Sequence, residues 1–591
     1  MHRLTWASAA LSAAIPACLF AYGGYLHRWA GDDGFINFRV VSQLLAGNGF
    51  VFNAGERSEA VTSAGWVFVL WALGSLGFNV EDSAWMASLL LGALGVGLAA
   101  ATSARLWTVR ELEPVAVLPY GAIVYAAIPV AWDYATSALE NGLGLGFLGA
   151  AYWTTASAAI RTDARSLCAA AAFVGLAPLV RPDYAIYAVP LTLLLMISAR
   201  GWREAFRVGI CAGAAGTGYE IFRMGYFAAL IPNTAFAKEA FEARWDQGVF
   251  YLMNTIQPYW LVVPLFLLVP CLAWHVASLL RRECRAVALL PLAMAGAGLL
   301  HVLYVVRVGG DFMHGRLLLP GLFAVSSAAA VVAIPDSTTA TRRRLVLAGF
   351  AVLSVWAIAC AALFRVDVYD HLIVDERRWY AERSIGGHPT RLEHYTSHPF
   401  YEGAHRRLNR IAAGCPRGFA SLSDTATDAC VRVALPDPLE GTLSGHPAET
   451  QLPLREGAAP TQIVSVFGFR PLGISSRAAG LRINVVDGFG LADPVAARLE
   501  LAARGRPGHE KSFSSAWFAA KYAAPGASTD EDVTAAARAL ECGLLRELHK
   551  ATREPLTLMR FAMNIRLAFA LHRLRVPEDP HEAVSRLCTP A

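Results

Sequence analysis

Residues 86–104 read MASLLLGALGVGLAAATSA, nineteen consecutive residues without a charged side chain, and Arg105 follows directly. An apolar helix of this length crosses the roughly 30 Å of hydrocarbon in a bilayer. The chain as a whole is also apolar, because 55% of its 591 residues are hydrophobic, 16% are charged and the mean hydropathy is +0.41. This balance is too apolar for a soluble protein of this length, so the sequence predicts an integral membrane protein.

Further apolar segments flank this one on both sides. The stretch 167–199 is interrupted by Arg181, Pro182 and Asp183, and we interpret it as two spans. The segment 66–78 is too short to cross comfortably and is predicted to be a juxtamembrane helix. The other predicted spans are 5–26, 114–131, 138–158, 207–228, 259–280, 286–306, 316–334 and 345–366. The prediction is therefore an α-helical polytopic protein with about eleven transmembrane helices.

Basic residues set the predicted orientation. Every second connection is rich in arginine, and cytoplasmic loops carry an excess of Lys and Arg. The N-terminus is then cytoplasmic, and a transmembrane domain at 1–366 is followed by a periplasmic C-terminal domain at 367–591. A cleaved signal peptide is an alternative interpretation of the first 30 residues, and cleavage would not change this topology.

The predicted C-terminal domain has the pattern of a small mixed α/β fold. A strand-like run at 481–486 precedes a helix-like run at 494–504. The domain also holds four cysteines in an oxidising compartment, while the other six lie in or beside the spans. We expect one disulfide between Cys415 and Cys430 and another between Cys542 and Cys588.

Several classes of ligand are disfavoured by the sequence. The net charge of +5 is small and the basic residues lie in short clusters, so nucleic acid is not an expected partner. There is no glycine-rich phosphate loop, and the cytoplasmic loops are too short to form a nucleotide-sugar domain. No His or Cys spacing is typical of a metal site, and no metal or cofactor is predicted. An activated sugar used on the outer face would have to arrive on a lipid carrier.

The first predicted outer loop contains an acidic pair. Gly31–Arg39 read GDDGFINFR, and carboxylates at membrane depth are costly. Asp32 and Asp33 are therefore candidate catalytic residues. An alternative is that one of them caps a helix starting near Phe35. Since adjacent residues do not share a helix face, we expect only one of the pair to act as a base.

Other loops on the same predicted face also carry ionisable groups. For any one of them, snorkelling or loop capping is the ordinary explanation, and His314 is more typically a hydrogen-bonding residue than a ligand. Their occurrence on one face indicates a site instead. The candidate substrate-binding residues are Glu140, Arg181, Lys238, Asp311, His314 and Arg316, with Asp183 beside them.

The first loop also resembles that of a known superfamily. Gly31–Arg39 followed by Leu45, Gly47–Gly49, Val51–Asn53, Gly55–Arg57 and Glu59 resemble the first extracytoplasmic loop of the multi-span GT-C glycosyltransferases. More narrowly, the chain resembles the actinobacterial terminal arabinofuranosyltransferases of cell-wall arabinan synthesis, the AftB type. Further segments that carry this resemblance are 135–140, 222–226, 234–238, 309–314 and 373–378, and in the tail Asp487, Leu491, Pro494 and 508–511.

The resemblance implies a fold, a reaction and a site. It implies a GT-C fold, a decaprenyl-phosphoryl-arabinofuranose donor, an arabinan acceptor in arabinogalactan or lipoarabinomannan, and a terminal β-(1→2) linkage. The essential acidic pair of the family maps onto Asp32 and Asp33. The family more often has Glu where this chain has Asp183.

The chemistry of such a transfer assigns roles to the candidates. A polyprenyl phosphate is a good leaving group, so cations matter more than a general acid, and Arg316, Lys238 and Arg181 are the candidates. Asp33 or Asp32 would accept the proton of the acceptor hydroxyl. A β-linked donor and a β product mean net retention, for which a covalent intermediate on one Asp and a front-face reaction both stay open.

Three alternative functions are compatible with parts of the pattern. A related transferase could use another polyprenyl-phosphate sugar such as mannose. A transporter of lipid-linked sugars would carry charges at mid-membrane and often an inverted repeat, and the sequence shows neither. A non-catalytic envelope protein would tolerate neutralisation of the acidic pair.

Overall fold

The computed structural model is mainly helical. It describes residues 2–109, 114–281, 285–335, 338–364, 372–399, 401–402, 433–435, 450–452, 462–465, 472–481, 483–522, 526 and 529–588. Six helices in these ranges are long and apolar enough to cross a membrane: Ala7–Leu26, Val80–Thr108, Asn141–Arg161, Val262–Arg281, Ala286–Arg307 and Ala340–Ala362. Their outward faces are apolar, and Leu345, Val355 and Ile358 are each about two-thirds exposed, as expected for side chains that face lipid.

The described residues between 2 and 227 form eleven helices and one strand. They are α1 His2–Leu26, α2 Asp32–Leu45, α3 Ala64–Ser75, α4 Val80–Thr108, β1 Pro114–Leu118, α5 Tyr120–Ala126, α6 Pro129–Asp133, α7 Asn141–Arg161, α8 Ala164–Val174, α9 Ala177–Val180, α10 Ala185–Ile197 and α11 Trp202–Phe227. The predicted juxtamembrane helix is α3, and the predicted interruption at Arg181 separates α9 from α10. Helix α4 packs tightly on α7, because a Cβ added at Gly142 would lie 1.9 Å from the Ser88 carbonyl oxygen.

Between residues 228 and 382, the described residues form seven more helices and one strand. They are α12 Asn233–Ala237, α13 Trp245–Ile256, α14 Val262–Arg281, α15 Arg285–Arg307, α16 Leu319–Ala328, β2 Val332–Pro335, α17 Ala340–Ala362 and α18 Glu376–Glu382. Short 3-10 turns occur at Pro182–Tyr184, Arg316–Leu318, Ile385–Gly387 and Leu392–Tyr395.

Two predicted spans are not continuous helices. The run 114–131 forms β1 and two short helices, and the run 316–334 forms a 3-10 turn, a ten-residue helix and β2. The two strands pair antiparallel, with Val117 opposite Ala333. Each strand thereby satisfies backbone groups of the other, and all four residues of β2 are buried. Hydropathy does not distinguish such a buried strand from part of a helix.

The C-terminal part is helical with short strand pairs. Its helices are α19 Leu472–Ala479, α20 Ser515–Tyr522, α21 Glu531–Leu540, α22 Gly543–Arg553, α23 Leu558–Leu571 and α24 Pro580–Leu587, with a 3-10 turn at Ala496–Arg498. Strands β3 Val433–Leu435 and β4 Thr450–Leu452 pair antiparallel, and β5 Gln462–Ser465 and β6 Ile483–Val486 pair in parallel.

Two local predictions for this part had different outcomes. The strand predicted at 481–486 is confirmed as β6. The helix predicted at 494–504 is wrong, because only Ala496–Arg498 form a 3-10 turn. The chain then becomes extended and pairs with a later segment: Val576 donates its N–H to the Arg498 carbonyl at 2.9 Å, and Glu500 donates to the Val576 carbonyl at 2.8 Å. These bonds replace those that a longer helix would have made.

The predicted cysteine pairing is partly visible. Cys542 and Cys588 form a disulfide with their Cα atoms 5.0 Å apart, which joins the start of α22 to the end of α24. Cys415 and Cys430 lie outside the described residues.

Buried polar contacts fasten the C-terminal part to helix α2 and the loop that follows it. The guanidinium of Arg39 is fully buried and donates hydrogen bonds to the carbonyls of Ser476 and Gly480 at 2.7 and 2.8 Å. The Glu56 carboxylate lies 2.8 Å from the Lys521 ammonium and 3.2 Å from the Arg553 guanidinium. Because Arg39, Glu56 and Lys521 are buried, the contacts hold the C-terminal part directly over the acidic pair.

Candidate functional site

The two aspartates of the acidic pair have different surroundings. Both lie in the first turn of α2, where a carboxylate is favoured by the helix dipole. Asp32 is only 6% exposed, and its two carboxylate oxygens accept hydrogen bonds from the backbone N–H groups of Gly473 at 2.9 Å and Ile474 at 2.7 Å. Asp32 therefore caps a helix, as the alternative interpretation proposed, but the helix is α19 rather than its own. Both of its oxygens are occupied.

We expect loss of this cap to destabilise the protein. A hydrogen bond to a charged group contributes about 1.5–3 kcal/mol, so Asp32→Asn should lower the unfolding temperature measurably. Gly473→Ala tests the same contact from the other side, since its new Cβ would lie 1.8 Å from the Asp32 carbonyl oxygen. Gly213→Ala is the matched control, because a Cβ there meets no atom within 4 Å. Unfolding temperatures equal to that of the control in both variants would contradict this role.

Asp33 has no comparable structural partner. Its side chain is 25% exposed, and no described residue donates a hydrogen bond to its carboxylate. The nearest cation is the Arg316 guanidinium, with Nη1 4.0 Å from Asp33 Oδ2. Burial raises the pKa of Asp33 above its ordinary value, while Lys238 and Arg316 act in the opposite direction. Asp33 is thus an available carboxylate with increased basicity.

Arg316 lies at the centre of a buried charge cluster. Its Nη2 is 3.3 Å from Glu140 Oε1, and its Nη1 is 3.5 Å from Asp311 Oδ2. The Nε of Arg316 is buried and has no hydrogen-bond partner within the described ranges. The cluster therefore holds the guanidinium in place and leaves one donor unused.

Arg181 extends the cluster to the next loop. It pairs with Glu140, and its Nε lies 2.9 Å from Asp183 Oδ1. His301 contacts the other oxygen of Asp183 at 2.9 Å. The shorter acid at position 183 thus still reaches Arg181.

Lys238 is the least constrained cation near Asp33. Its Nζ lies 3.9 Å from Asp311 Oδ1, and its side chain is 32% exposed. Asp311 itself is buried and accepts a hydrogen bond from the backbone N–H of Phe312 at 2.9 Å. The preceding residues Gly309 and Gly310 both have positive φ angles, 91° and 75°, which only glycine adopts readily. This backbone places Asp311 between the two cations.

Most of the predicted residues surround one cavity of about 470 Å³, which we name cavity A. Its basic side chains outnumber its acidic ones, and apolar residues including Phe241, Val305 and Val308 complete the wall. The charged lining residues are Asp33, Glu140, Arg181, Asp183, Lys238, Arg244, Arg307 and Arg316. A cationic cavity with apolar walls suits an anionic amphiphile.

A second cavity of about 310 Å³, cavity B, lies under the C-terminal part. Aromatic rings form much of its wall, and the His509 ring contacts those of Phe312 and Phe489 at centroid distances of 4.7 and 4.9 Å. Its lining residues are Asp32, Asp33, Lys238, Phe312, Val374, Glu376, Trp379, Tyr380, Leu472, Phe489, Leu491, Arg506, Gly508 and His509. Asp33, Lys238 and Leu491 also line cavity A, so the two cavities meet there.

His314 does not join the other predicted residues. It lines a third cavity, cavity C, together with His27, Asp133 and Arg377. Its Nδ1 lies 2.7 Å from the Asn254 side-chain oxygen, and burial lowers its pKa to about 4. His314 is therefore neutral at physiological pH and adds no charge to cavity A.

Four charged residues without a role predicted from the sequence line cavities A and B. Arg244 and Arg307 line cavity A, and Glu376 and Arg506 line cavity B. Only Glu376 had a signal, because it belongs to the segment 373–378 on which the family resemblance partly rests. Within the described ranges, no three His, Cys, Asp or Glu side chains are grouped to hold a metal ion.

These features define a class of protein. Several apolar helices, with a cationic cavity and an aromatic cavity that share one carboxylate, suit a membrane transferase in which two substrates meet at one proton acceptor. Residues 453–586 match the sequence model of the AftB family C-terminal domain. No solved structure matches the chain.

Two curated relatives give the family. The terminal β-(1→2)-arabinofuranosyltransferase of Mycobacterium tuberculosis is 35% identical in an alignment of 621 positions, gaps included, which covers 98% of this chain and 96% of that protein. The enzyme of the same name from Corynebacterium glutamicum is 33% identical, with coverage of 96% and 86%. The chain belongs to the family of terminal β-(1→2)-arabinofuranosyltransferases.

Proposed function

We propose that this protein transfers arabinofuranose from decaprenyl-phosphoryl-arabinofuranose to the arabinan of arabinogalactan or lipoarabinomannan, forming a terminal β-(1→2) linkage. The observation that carries the proposal is the junction at Asp33, where cavity A meets cavity B. A transferase needs such a junction, because two substrates from different environments must meet at one proton acceptor.

Cavity A suits the lipid-linked donor. Arg316 and Arg181 line cavity A, Lys238 lies at the junction beside Asp33, and all three would hold the phosphate. Fixed cations stabilise the charge that grows on the departing phosphate. The apolar walls near Phe241 and Val308 would contact the first isoprene units.

Cavity B suits the arabinan acceptor. Sugars offer apolar faces and many hydroxyl groups, so aromatic rings beside polar side chains form a suitable wall. Phe489, Arg506 and His509 come from the C-terminal part, whose residues 472–509 supply six of the fourteen residues that line this subsite. The acceptor would enter from water beneath that part.

The proposed step is a transfer at the anomeric carbon. The acceptor oxygen forms a bond to that carbon, the bond to the phosphate oxygen breaks, and its electron pair leaves with the prenyl phosphate. Asp33 accepts the proton of the acceptor hydroxyl. Because both oxygens of Asp32 are engaged by α19, a front-face reaction is favoured over a covalent intermediate on Asp32 for a β-linked donor.

The proposal includes a topology. Besides the six long apolar helices, we take the shorter apolar helices Ala164–Val180, Pro182–Ile197 and Arg316–Ala328 to be membrane segments. The run 114–131 and the helix Trp202–Phe227 add two more, which gives about eleven spans. The arginine-rich connections support a cytoplasmic N-terminus. Residues 1–366 would then form the catalytic domain in the plasma membrane. Residues 367–591 would form a periplasmic domain that binds the acceptor outside that membrane.

Transfer by the purified protein tests the proposal. The full chain is incubated with synthetic decaprenyl-phosphoryl-arabinofuranose and an arabinan oligosaccharide, and the product linkage is determined by NMR. We expect a new terminal β-(1→2) arabinofuranose. Transfer from prenyl-phosphate mannose but not from the arabinose donor would refute the assigned substrate and indicate another lipid-linked sugar.

A further inference from the structure

Glu376 is a buried carboxylic acid to which the mechanism above gives no role. It is the first residue of α18, only 7% exposed, and it lines cavity B with Asp33. Its Oε2 is buried and has no hydrogen-bond partner in the described part of the chain. It is not the cap of α18, since Asp375 accepts the capping hydrogen bond from the Arg378 N–H at 3.0 Å.

The backbone around Glu376 fixes the direction of its side chain. Val374 donates its N–H to the Phe312 carbonyl at 2.8 Å and accepts a bond from the His314 N–H at 3.1 Å. The neighbours Asp375 and Arg377 line cavity C, whereas Glu376 lines cavity B. The segment is thus a fixed wall between two cavities.

The charges near Glu376 favour its protonated form. Burial raises the pKa of Glu376 well above its ordinary value, and the carboxylates of Asp33 and Asp32 raise it further, while Arg506 and Arg316 oppose them. A buried carboxyl group without a bonded cation keeps its proton because ionisation there is costly. A protonated carboxyl group can donate a hydrogen bond.

We infer that Glu376, in its protonated form, donates a hydrogen bond to the arabinan acceptor and so orients the attacking hydroxyl towards Asp33. The inference rests on the proposed function, because it takes cavity B as the acceptor subsite. Glu376 is then an acceptor-binding residue, with a chemical role opposite to that of the ionised Asp33.

Two substitutions at one position separate this role from others. Glu376→Gln keeps the size and a hydrogen-bond donor, so we expect an acceptor KM within about threefold of wild type. Glu376→Ala removes the donor and should raise the acceptor KM by about tenfold or more, with the donor KM unchanged. Glu382→Gln is the matched control, because Glu382 lies at the other end of α18, half exposed, and pairs with Arg378.

Binding measured without donor keeps this test separate from that of the proposed function. The affinity of an arabinan oligosaccharide for wild type, Glu376→Gln and Glu376→Ala is determined by calorimetry, and only the alanine variant should bind weakly. Loss of activity in the glutamine variant to the level of Asp33→Asn would overturn the inference, as would unchanged acceptor binding in the alanine variant. A wild type that binds arabinan but transfers no arabinose would refute the proposed donor and leave this result standing.

Discussion

We expect Asp33→Asn to lower kcat for arabinose transfer by about 10²–10⁴-fold, the contribution of a positioned general base, and to leave the unfolding temperature close to that of wild type. The substitution preserves shape but removes the proton acceptor. Stability is spared because the Asp33 carboxylate accepts no hydrogen bond from the described residues and lies 4.0 Å from its nearest cation. The measurement is the initial rate with both substrates saturating, together with thermal unfolding in the same detergent.

The adjacent residue provides the control for Asp33. Asp32→Asn should show the opposite profile, a clear fall in unfolding temperature and a smaller fall in kcat at temperatures where the variant is folded. Two observations would count against this division of roles. One is an Asp33→Asn enzyme that keeps more than about a tenth of its kcat, and the other is a stable Asp32→Asn enzyme with the larger loss of rate.

The position of the acidic pair could be predicted from the sequence, but the separate roles of its two residues could not. The pattern located the pair and predicted that only one of the two would act as base, since neighbours on a helix point in different directions. It did not identify which one, because the partner of Asp32 is the backbone of Gly473, separated from it by more than 400 residues. A contact of that kind has no signal in the local sequence.

Two other features of the fold could not be predicted from the sequence, each for a different physical reason. The apolar runs 114–131 and 316–334 have the composition of spans, yet the first begins and the second ends with a strand, and these two strands pair with each other. Asp375, Glu376 and Arg377 are three consecutive charged residues, and only the fold shows that the middle one faces Asp33. Periodicity reports burial but not which cavity a buried charge enters.

Lys238→Met should lower kcat/KM for the lipid-phosphate donor by about 10²–10³-fold, the loss expected when one preorganised group is removed from a developing charge. Lys238 lines both cavities, and its nearest carboxylate is 3.9 Å away. Its charge is therefore available to the phosphate. Removal of Arg316 would be less informative, because Glu140 and Asp311 would be left buried without their cation.

The pH profile of the same variant carries an independent expectation. Asp33 acts as a base only when ionised, so kcat/KM falls as the pH decreases through its pKa. Lys238 lowers the pKa of Asp33, and its removal should move this acidic limb to higher pH. The other charged groups facing Asp33 are Arg316, Asp311, Glu140, Asp32 and Glu376.

Two further substitutions complete the test of Lys238. Lys238→Arg keeps the charge and should retain kcat/KM within about tenfold, whereas Lys550→Met removes a lysine that lines neither cavity and should change nothing. If Lys238→Met instead raised only the acceptor KM and left the donor kinetics and the acidic limb unchanged, Lys238 would belong to the acceptor side of the junction. The phosphate would then be held by Arg316 and Arg181 alone among the cations proposed for it.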